Sequence, residues 1–195
     1  MNAQADKMRI ATAVTTDLAS PGLTERLARQ IEAVLGKSSI ELGVIFASAH
    51  FEDEFDGLVQ SLAERLPIGS FIGCTADAIM AQDREYEGQP AVTLWAAHLP
   101  NTRVSSFHLS TEDLARLDAP ADLCDHLRLT PGDKPSFLLL ADPFSFSPTP
   151  SLLSLLHKLD DLFPDRPTIG GLASAGEKRG QNQLVFDGVT LRHGL

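Results

Sequence analysis

Two stretches of this sequence repeat the same order of predicted elements, and this repeat restricts the possible folds more than any other feature. Residues 44–79 and 138–176 each begin with an apolar strand ending in alanine, followed by a loop with an aromatic residue and an amphipathic helix that stops at a proline. Each block ends with the pattern Ile-Gly-x-x-Ala, at Ile72–Ala76 and Ile169–Ala173. The blocks predict two similar β-α-β units, although many α/β chains also share this order of elements.

The other elements extend this pattern to a single predicted domain over residues 1–195, with the repeat at about 40–110 and 135–195. Alternating strands and helices predict an α/β or α+β fold, in which helices pack on a mixed sheet and β-hairpins add antiparallel strands. One hairpin is predicted from 91–99 and 103–109, and another from 184–186 and 189–191 around Asp187-Gly188. Further signals predict two helix starts and a turn, at Ser20-Pro21, Thr149-Pro150 and Pro131-Gly132-Asp133.

Composition excludes several classes of protein. The formal net charge is −10, with 26 acidic and 16 basic residues, which argues against nucleic acid as a partner. No apolar run approaches the roughly 18 residues of a membrane span, so no membrane partner is expected. The polar start, Met1 to Lys7, lacks a hydrophobic signal region and favours a cytoplasmic location.

No metal and no cofactor are predicted from the motifs. Cys74 and Cys124 are too few for a disulfide framework or a four-thiolate metal site. The six histidines lack metal-binding spacing, and neither a Walker lysine nor a Gly-x-Gly-x-x-Gly pattern supports a phosphate cradle.

The candidate ligand site lies where the predicted strands end, since ligands in open α/β sheets bind outside the carboxyl ends of the strands. Glycine at Gly73, Gly170 and Gly171 would let a ligand approach the backbone, or would serve tight packing of the turn. Asp142 would hold an amino group or form a turn. Cys74 would be a nucleophile, with His50 as the approaching base, or a buried thiol that fills space. The two related loops predict a cleft lined by Cys74, Thr75, Asp142, Phe144, Gly171 and Ser174.

Two segments resemble the FIST N-terminal domain, a sensory domain of intracellular signal-transduction proteins. In Ile72–Ile79, the residues Gly73, Cys74, Thr75 and Ile79 match the family's glycine-cysteine stretch, from which Asp77 and Ala78 depart. The loop Ala141–Phe144 and the segment Ile169–Ser174 look like its Asp-Pro loop and its glycine-glycine motif. The resemblance implies a prokaryotic module that binds small ligands such as amino acids, and a C-terminal FIST module that this chain is expected to lack.

Three functions remain open at this point. The first is a sensory module that binds a small polar ligand, possibly an amino acid, and signals to a partner protein or domain. The second is a protein-interaction scaffold, and the third is an enzyme that depends on Cys74. The last strand, 189–191, is predicted to lie at a sheet edge, where unpaired backbone groups recruit another strand, so a homo-oligomer is a candidate partner.

Overall fold

The computed structural model describes residues 7–18, 22–117, 119–130, 132–146 and 152–195. The helix starts predicted at Ser20-Pro21 and Thr149-Pro150, and Pro131 of the predicted turn, lie outside these residues. The strands are β1 Arg9–Thr15, β2 Ile40–Ser48, β3 Ile68–Ala76, β4 Ala78–Ala81, β5 Arg84–Glu87, β6 Val92–His98, β7 Phe137–Ala141, β8 Thr168–Leu172, β9 Leu184–Phe186 and β10 Val189–Leu191. The helices are α1 Leu23–Leu35, α2 Phe55–Arg65, α3 Thr111–Arg116, α4 Pro120–His126 and α5 Leu152–Leu162, and a short 3-10 helix covers Ala49–Phe51.

A six-stranded mixed sheet forms the main layer of the fold. Its strand order is β1-β6-β2-β3-β9-β10, in which β2 and β3 are parallel and the other neighbours are antiparallel. Helices α1 and α2 cover one face of this sheet. The apolar core lies between these two helices and the sheet, and it contains Ile31, Ile45, Phe55 and Phe71. The prediction of a mixed sheet with helices packed on it is confirmed.

A second, smaller unit consists of the parallel pair β7 and β8 with the helices α3, α4 and α5. Its core contains Leu114, Leu123, Phe137, Leu155 and Phe163, and these residues are separate from the core under the main sheet. In the described ranges, each of these two larger cores thus goes with one β-α-β unit: β2-α2-β3 with the first and β7-α5-β8 with the second.

The two parallel pairs share one register. Gly73 lies opposite Ile45 in the first pair, and Gly170 lies opposite Leu139 in the second. At both glycines an added Cβ would meet the carbonyl oxygen of that opposite residue, at 2.1 Å from Ile45 and at 1.8 Å from Leu139. The prediction that the two Ile-Gly glycines occupy equivalent strand positions is confirmed.

One predicted hairpin is wrong and the other is confirmed. Residues 103–109 form no strand, because β6 already pairs with β1 on one side and with β2 on the other, so no edge remains for them. The hairpin around Asp187-Gly188 is present, with Phe186 paired to Val189 and positive φ angles of 46° and 85° in the two turn residues. Strand β10 lies at the edge of the sheet, as predicted. Within the described ranges, no helix is long and apolar enough to cross a bilayer.

Candidate functional site

The two β-α-β units meet at Cys74. This residue lies in β3 opposite Phe46 and Leu184, and it packs against Ala173, which follows β8. Only 3% of Cys74 is exposed, and burial raises the pKa of its thiol to about 12. A thiol with this pKa stays protonated at neutral pH, whereas a nucleophilic cysteine needs its thiolate. The geometry therefore favours the interpretation of Cys74 as a buried residue that fills space.

We expect Cys74 to resist alkylation in the folded protein. Iodoacetamide at neutral pH should leave the Cys74 peptide unmodified, and adding denaturant should make it reactive, as peptide-resolved mass spectrometry would show. Rapid labelling of native Cys74 would contradict this expectation.

The same pKa predicts a pH dependence of stability. The folded thiol keeps its proton up to about pH 12, but the unfolded thiol releases it near its ordinary pKa of 9.0. The unfolded state then binds fewer protons, so this contribution to the free energy of unfolding is complete below pH 9 and is lost as the pH rises toward 12. In Cys74→Ala that alkaline loss should be smaller than in the wild type.

Asp142 is the centre of a buried polar network. Its side chain is fully buried, and its two carboxylate oxygens accept hydrogen bonds from Ser145 Oγ at 2.6 Å and from Asn182 Nδ2 at 3.0 Å. Ser145 Oγ in turn accepts from the Gly194 N–H, and the Asp142 N–H donates to the Gly194 carbonyl, both at 3.0 Å. The network ties the loop after β7 to the last residues of the chain, which supports the turn interpretation of Asp142 over direct contact with a ligand.

A small pocket of about 220 Å³ opens at the carboxyl ends of β2 and β3. We call it the edge pocket, and it is lined by Ala49, Glu52, Thr75, Ala175, Gly176, Glu177 and Gln181. Ala49 directly follows β2, Thr75 is the second-last residue of β3, and residues 175–181 follow β8. This is the position at which open α/β sheets bind their ligands.

Backbone and side-chain hydrogen bonds hold the walls of the edge pocket together. Thr75 Oγ1 accepts from the Gln183 N–H at 2.9 Å, and the Thr75 carbonyl accepts from the Ser174 N–H at 3.2 Å. On the opposite wall, Gln183 Nε2 donates to the Glu52 carbonyl at 2.7 Å. These contacts join both β-α-β units at the pocket, because Ser174 comes from the second unit and Thr75 from the first.

Two carboxylates give the edge pocket its charge. Glu52 and Glu177 line it from opposite segments, and its other lining residues are uncharged. Glu52 Oε1 lies 3.4 Å from the Arg192 guanidinium in an exposed ion pair, which contributes little in water. A pocket with two carboxylates and a threonine suits a small ligand with a protonated amino group.

A second, much larger cavity of about 750 Å³ lies on the face of the main sheet that α1 and α2 leave uncovered. We call it the inter-unit groove. One wall is the sheet, with Leu42, Ile72 and Trp95, and the other wall is the second unit, including residues 137–140 and Ile169. Residues 103–108, most of the segment 103–109 that was predicted to form a strand, line the groove instead.

The structure brings only some of the predicted site residues to a cavity. Thr75 lines the edge pocket, and Ser174 lies beside it, with its Oγ accepting from the Asp77 N–H at 3.1 Å. Gly73 and Gly170 face the neighbouring strand, whereas Gly171 is exposed with open space around its Cα. Phe144 is half-buried, and its carbonyl accepts from Arg179 at 3.1 Å. Ligand contact at these residues stays a prediction.

Sequence reasoning missed Glu52, Glu177 and Gln181. Glu52 begins the acidic run Glu52-Asp53-Glu54, which is typical of a solvated helix start, and nothing local distinguishes Glu177 from a surface residue. The signal that could have found them is their position, directly after the predicted β2 strand and after the Ile-Gly-x-x-Ala segment of the second block. In the part of the chain that the structure describes, no group of three or more His, Cys, Asp or Glu side chains could hold a metal ion.

Comparison of the sequence with known proteins identifies the family and relatives of this chain. The model of the family described as FIST N domain matches residues 41–195. The chain is 31% identical over 188 residues to an uncharacterized protein of Mycobacterium tuberculosis, covering 96% of this chain and 46% of that protein. It is 29% identical over 188 residues to an uncharacterized protein of Mycobacterium bovis, with the same coverage. The chain thus spans about half the length of the curated relatives it matches.

Proposed function

Because this chain belongs to the FIST N domain family, a family of sensory and signalling domains, we propose that it is a sensory module that binds a small polar ligand in the edge pocket. The ligand carries a protonated amino group and is of the size of an amino acid. Ligand binding generates a signal that is transmitted to a partner protein or domain in the cytoplasm.

The position of the edge pocket carries this proposal. It opens where the parallel strands β2 and β3 end, and it is bounded by the segment that follows β8 of the second unit. A ligand there touches both β-α-β units, so its binding energy depends on how they sit together. A site of this kind suits a sensor, because a ligand shifts a conformational equilibrium only when it binds one arrangement better than another.

Size and charge support the proposed ligand class. The pocket volume of about 220 Å³ holds about seven water molecules at roughly 30 Å³ each, which is less than a drug-sized site. The carboxylates of Glu52 and Glu177 attract a cationic group, and Thr75 is an uncharged polar residue of the same lining.

A thermal-shift screen of amino acids and small primary amines tests the proposal. A ligand present at a hundred times its Kd should raise the free energy of unfolding by about 2.7 kcal/mol, which corresponds to a Tm increase of about 5–10 °C. Glu177→Gln should reduce that increase to about half at the same ligand concentration, because losing one of the two carboxylates should weaken binding about tenfold. Glu64→Gln, an exposed change near the C-terminal end of α2 and away from the pocket lining, is the matched control and should retain it.

Two outcomes would count against a sensor. If no amino acid or amine raised the Tm, the small-ligand proposal would fail. If the chain in addition proved to be a dimer in light scattering, the scaffold function would take its place, since β10 is an edge strand with Val189 55% exposed. A ligand that raised the Tm equally in Glu177→Gln would place binding outside the edge pocket.

A further inference from the structure

The inter-unit groove has apolar walls that remain partly exposed on both sides. On the sheet side, Leu42, Ile72, Trp95 and Phe186 are each only half-buried. On the other side, Ile169 of β8 remains 67% exposed although it lines the groove. Apolar side chains of the main sheet and of the second unit thus line one groove, and both surfaces remain partly in water.

The groove is too large to be a packing defect. Protein interiors are close-packed, and voids larger than a water molecule are few. A volume of about 750 Å³ lies inside the range of roughly 300–1,000 Å³ that ligand sites occupy. Residues 137–140 of β7 line the groove over a length of about 10 Å at the usual rise per strand residue. The groove therefore accommodates an elongated ligand.

The charged residues of the groove are grouped together and carry a net positive charge. Arg103 and Lys134 are cationic, and Asp133 is the acidic residue of the lining. The Arg103 guanidinium lies 3.3 Å from Asp133 Oδ2, and Lys134 is the next residue in the chain, so the three share one region of the groove. In the parts of the chain that are described, Lys134 makes no ion pair. A positive region is distinctive in a chain of net charge −10, and it complements an anionic group.

We propose that the inter-unit groove binds an aliphatic carboxylate of medium to long chain length. The hydrocarbon chain lies between the sheet face and β7-β8, where it covers the apolar side chains of both walls. The carboxylate lies at Arg103 and Lys134. This site is separate from the edge pocket and does not depend on the function proposed for that pocket.

The single tryptophan provides a direct readout. Trp95 is the only tryptophan of the chain and it lines the groove. Bromine quenches indole fluorescence on contact, so ω-bromoundecanoic acid, titrated below its micelle concentration, should quench the Trp95 emission in a saturable manner. Undecanoic acid without bromine should compete and restore the emission. Absence of saturable quenching would overturn the proposal.

Two pairs of variants locate the hydrocarbon chain and the carboxylate. Ile169→Gln should weaken binding about fivefold by removing aliphatic contact, whereas Leu172→Gln, on the same strand and outside the groove lining, should not change it. Lys134→Ala should weaken the acid but not undecanol, whereas Lys37→Ala, an exposed lysine elsewhere, should affect neither. All four positions are exposed, so the variants should fold.

The remaining outcomes overturn the proposal. Equal affinities for Ile169→Gln and Leu172→Gln would place the acid elsewhere on the protein. A dimer in light scattering that Ile169→Gln dissociates would show that a second copy covers the groove. Glu177→Gln should leave the quenching unchanged, which keeps this result distinct from the test of the edge pocket.

Discussion

Gly73→Ala should lower the free energy of unfolding by about 4 kcal/mol or more, the range of exceptionally damaging substitutions. The new Cβ would lie 2.1 Å from the carbonyl oxygen of Ile45 and 2.5 Å from its Cγ2 atom. Gly73 is in the central parallel pair of the main sheet, where β2 and β3 are flanked by β6 and β9, so neither strand can move aside. A loss of this size is comparable to the whole stability of many domains.

The second unit contains a matched set for the same experiment. Gly170→Ala would place its Cβ 1.8 Å from the Leu139 carbonyl oxygen, but among the described strands β8 pairs with β7 alone and can shift outward. We therefore expect a smaller loss of about 2–3 kcal/mol, within the usual range for steric overpacking. Gly171→Ala, one residue further on, meets nothing within 4 Å and should change stability by less than about 0.5 kcal/mol.

Urea denaturation of the three variants measures these differences. From most to least stable, the expected order is Gly171→Ala, Gly170→Ala and Gly73→Ala. Gly171→Ala should be about as stable as the wild type. If Gly73→Ala and Gly171→Ala were equally stable, the close approach of β3 to the Ile45 carbonyl would be wrong.

Asp142→Ala should lower the free energy of unfolding by about 3 kcal/mol, because it removes two buried hydrogen bonds to a carboxylate and leaves their donors unpaired. Those donors are Ser145 Oγ and Asn182 Nδ2, both in buried residues. For a chain of this length the change corresponds to a Tm lower by about 6–12 °C. Since the network also holds Gly194, the last residues of the chain should lose protection from hydrogen exchange at the same time.

Two further variants separate the network from a general effect of charge. Asp142→Asn keeps the shape and one acceptor oxygen, and the Ser145 hydroxyl can rotate to accept from the new amide. Its loss should therefore be about half that of Asp142→Ala, roughly 1.5 kcal/mol. Asp161→Ala removes an exposed carboxylate of α5 and should stay within about 0.5 kcal/mol of the wild type. Equal stabilities of Asp142→Ala and Asp161→Ala would show that the buried network contributes nothing.

Much of the fold was predictable because its signals are local. The Ile-Gly-x-x-Ala pattern predicted two related strands, and the shared register of Gly73 and Gly170 agrees with it. Asp187-Gly188 predicted its own hairpin, since these two residues adopt the positive φ angles that a tight turn requires. The segment 103–109 was predicted to form a strand from its composition alone, and composition does not reveal whether a sheet edge is free.

The candidate site was predictable only in part. Thr75 was found, because it belongs to the Ile-Gly-x-x-Ala segment at the end of a strand that was visible in the sequence. Glu52 and Glu177 were not, since they are 125 positions apart in the chain and become neighbours only when β3 and the segment after β8 pack together. Cys74 and Asp142 were predicted as site residues. In the structure Cys74 is buried, and the buried Asp142 carboxylate accepts hydrogen bonds from within the protein.

The sequence by itself determined most of the elements, the repeated Ile-Gly positions and the turn at Asp187-Gly188, because hydrophobic periodicity and backbone preference act over a few neighbouring residues. Only the tertiary structure decided which strands pair, which polar groups become buried, and where the two units leave cavities between them. The physical reason is that those outcomes depend on contacts between distant parts of the chain, and a residue's own neighbours in sequence do not specify what packs against it.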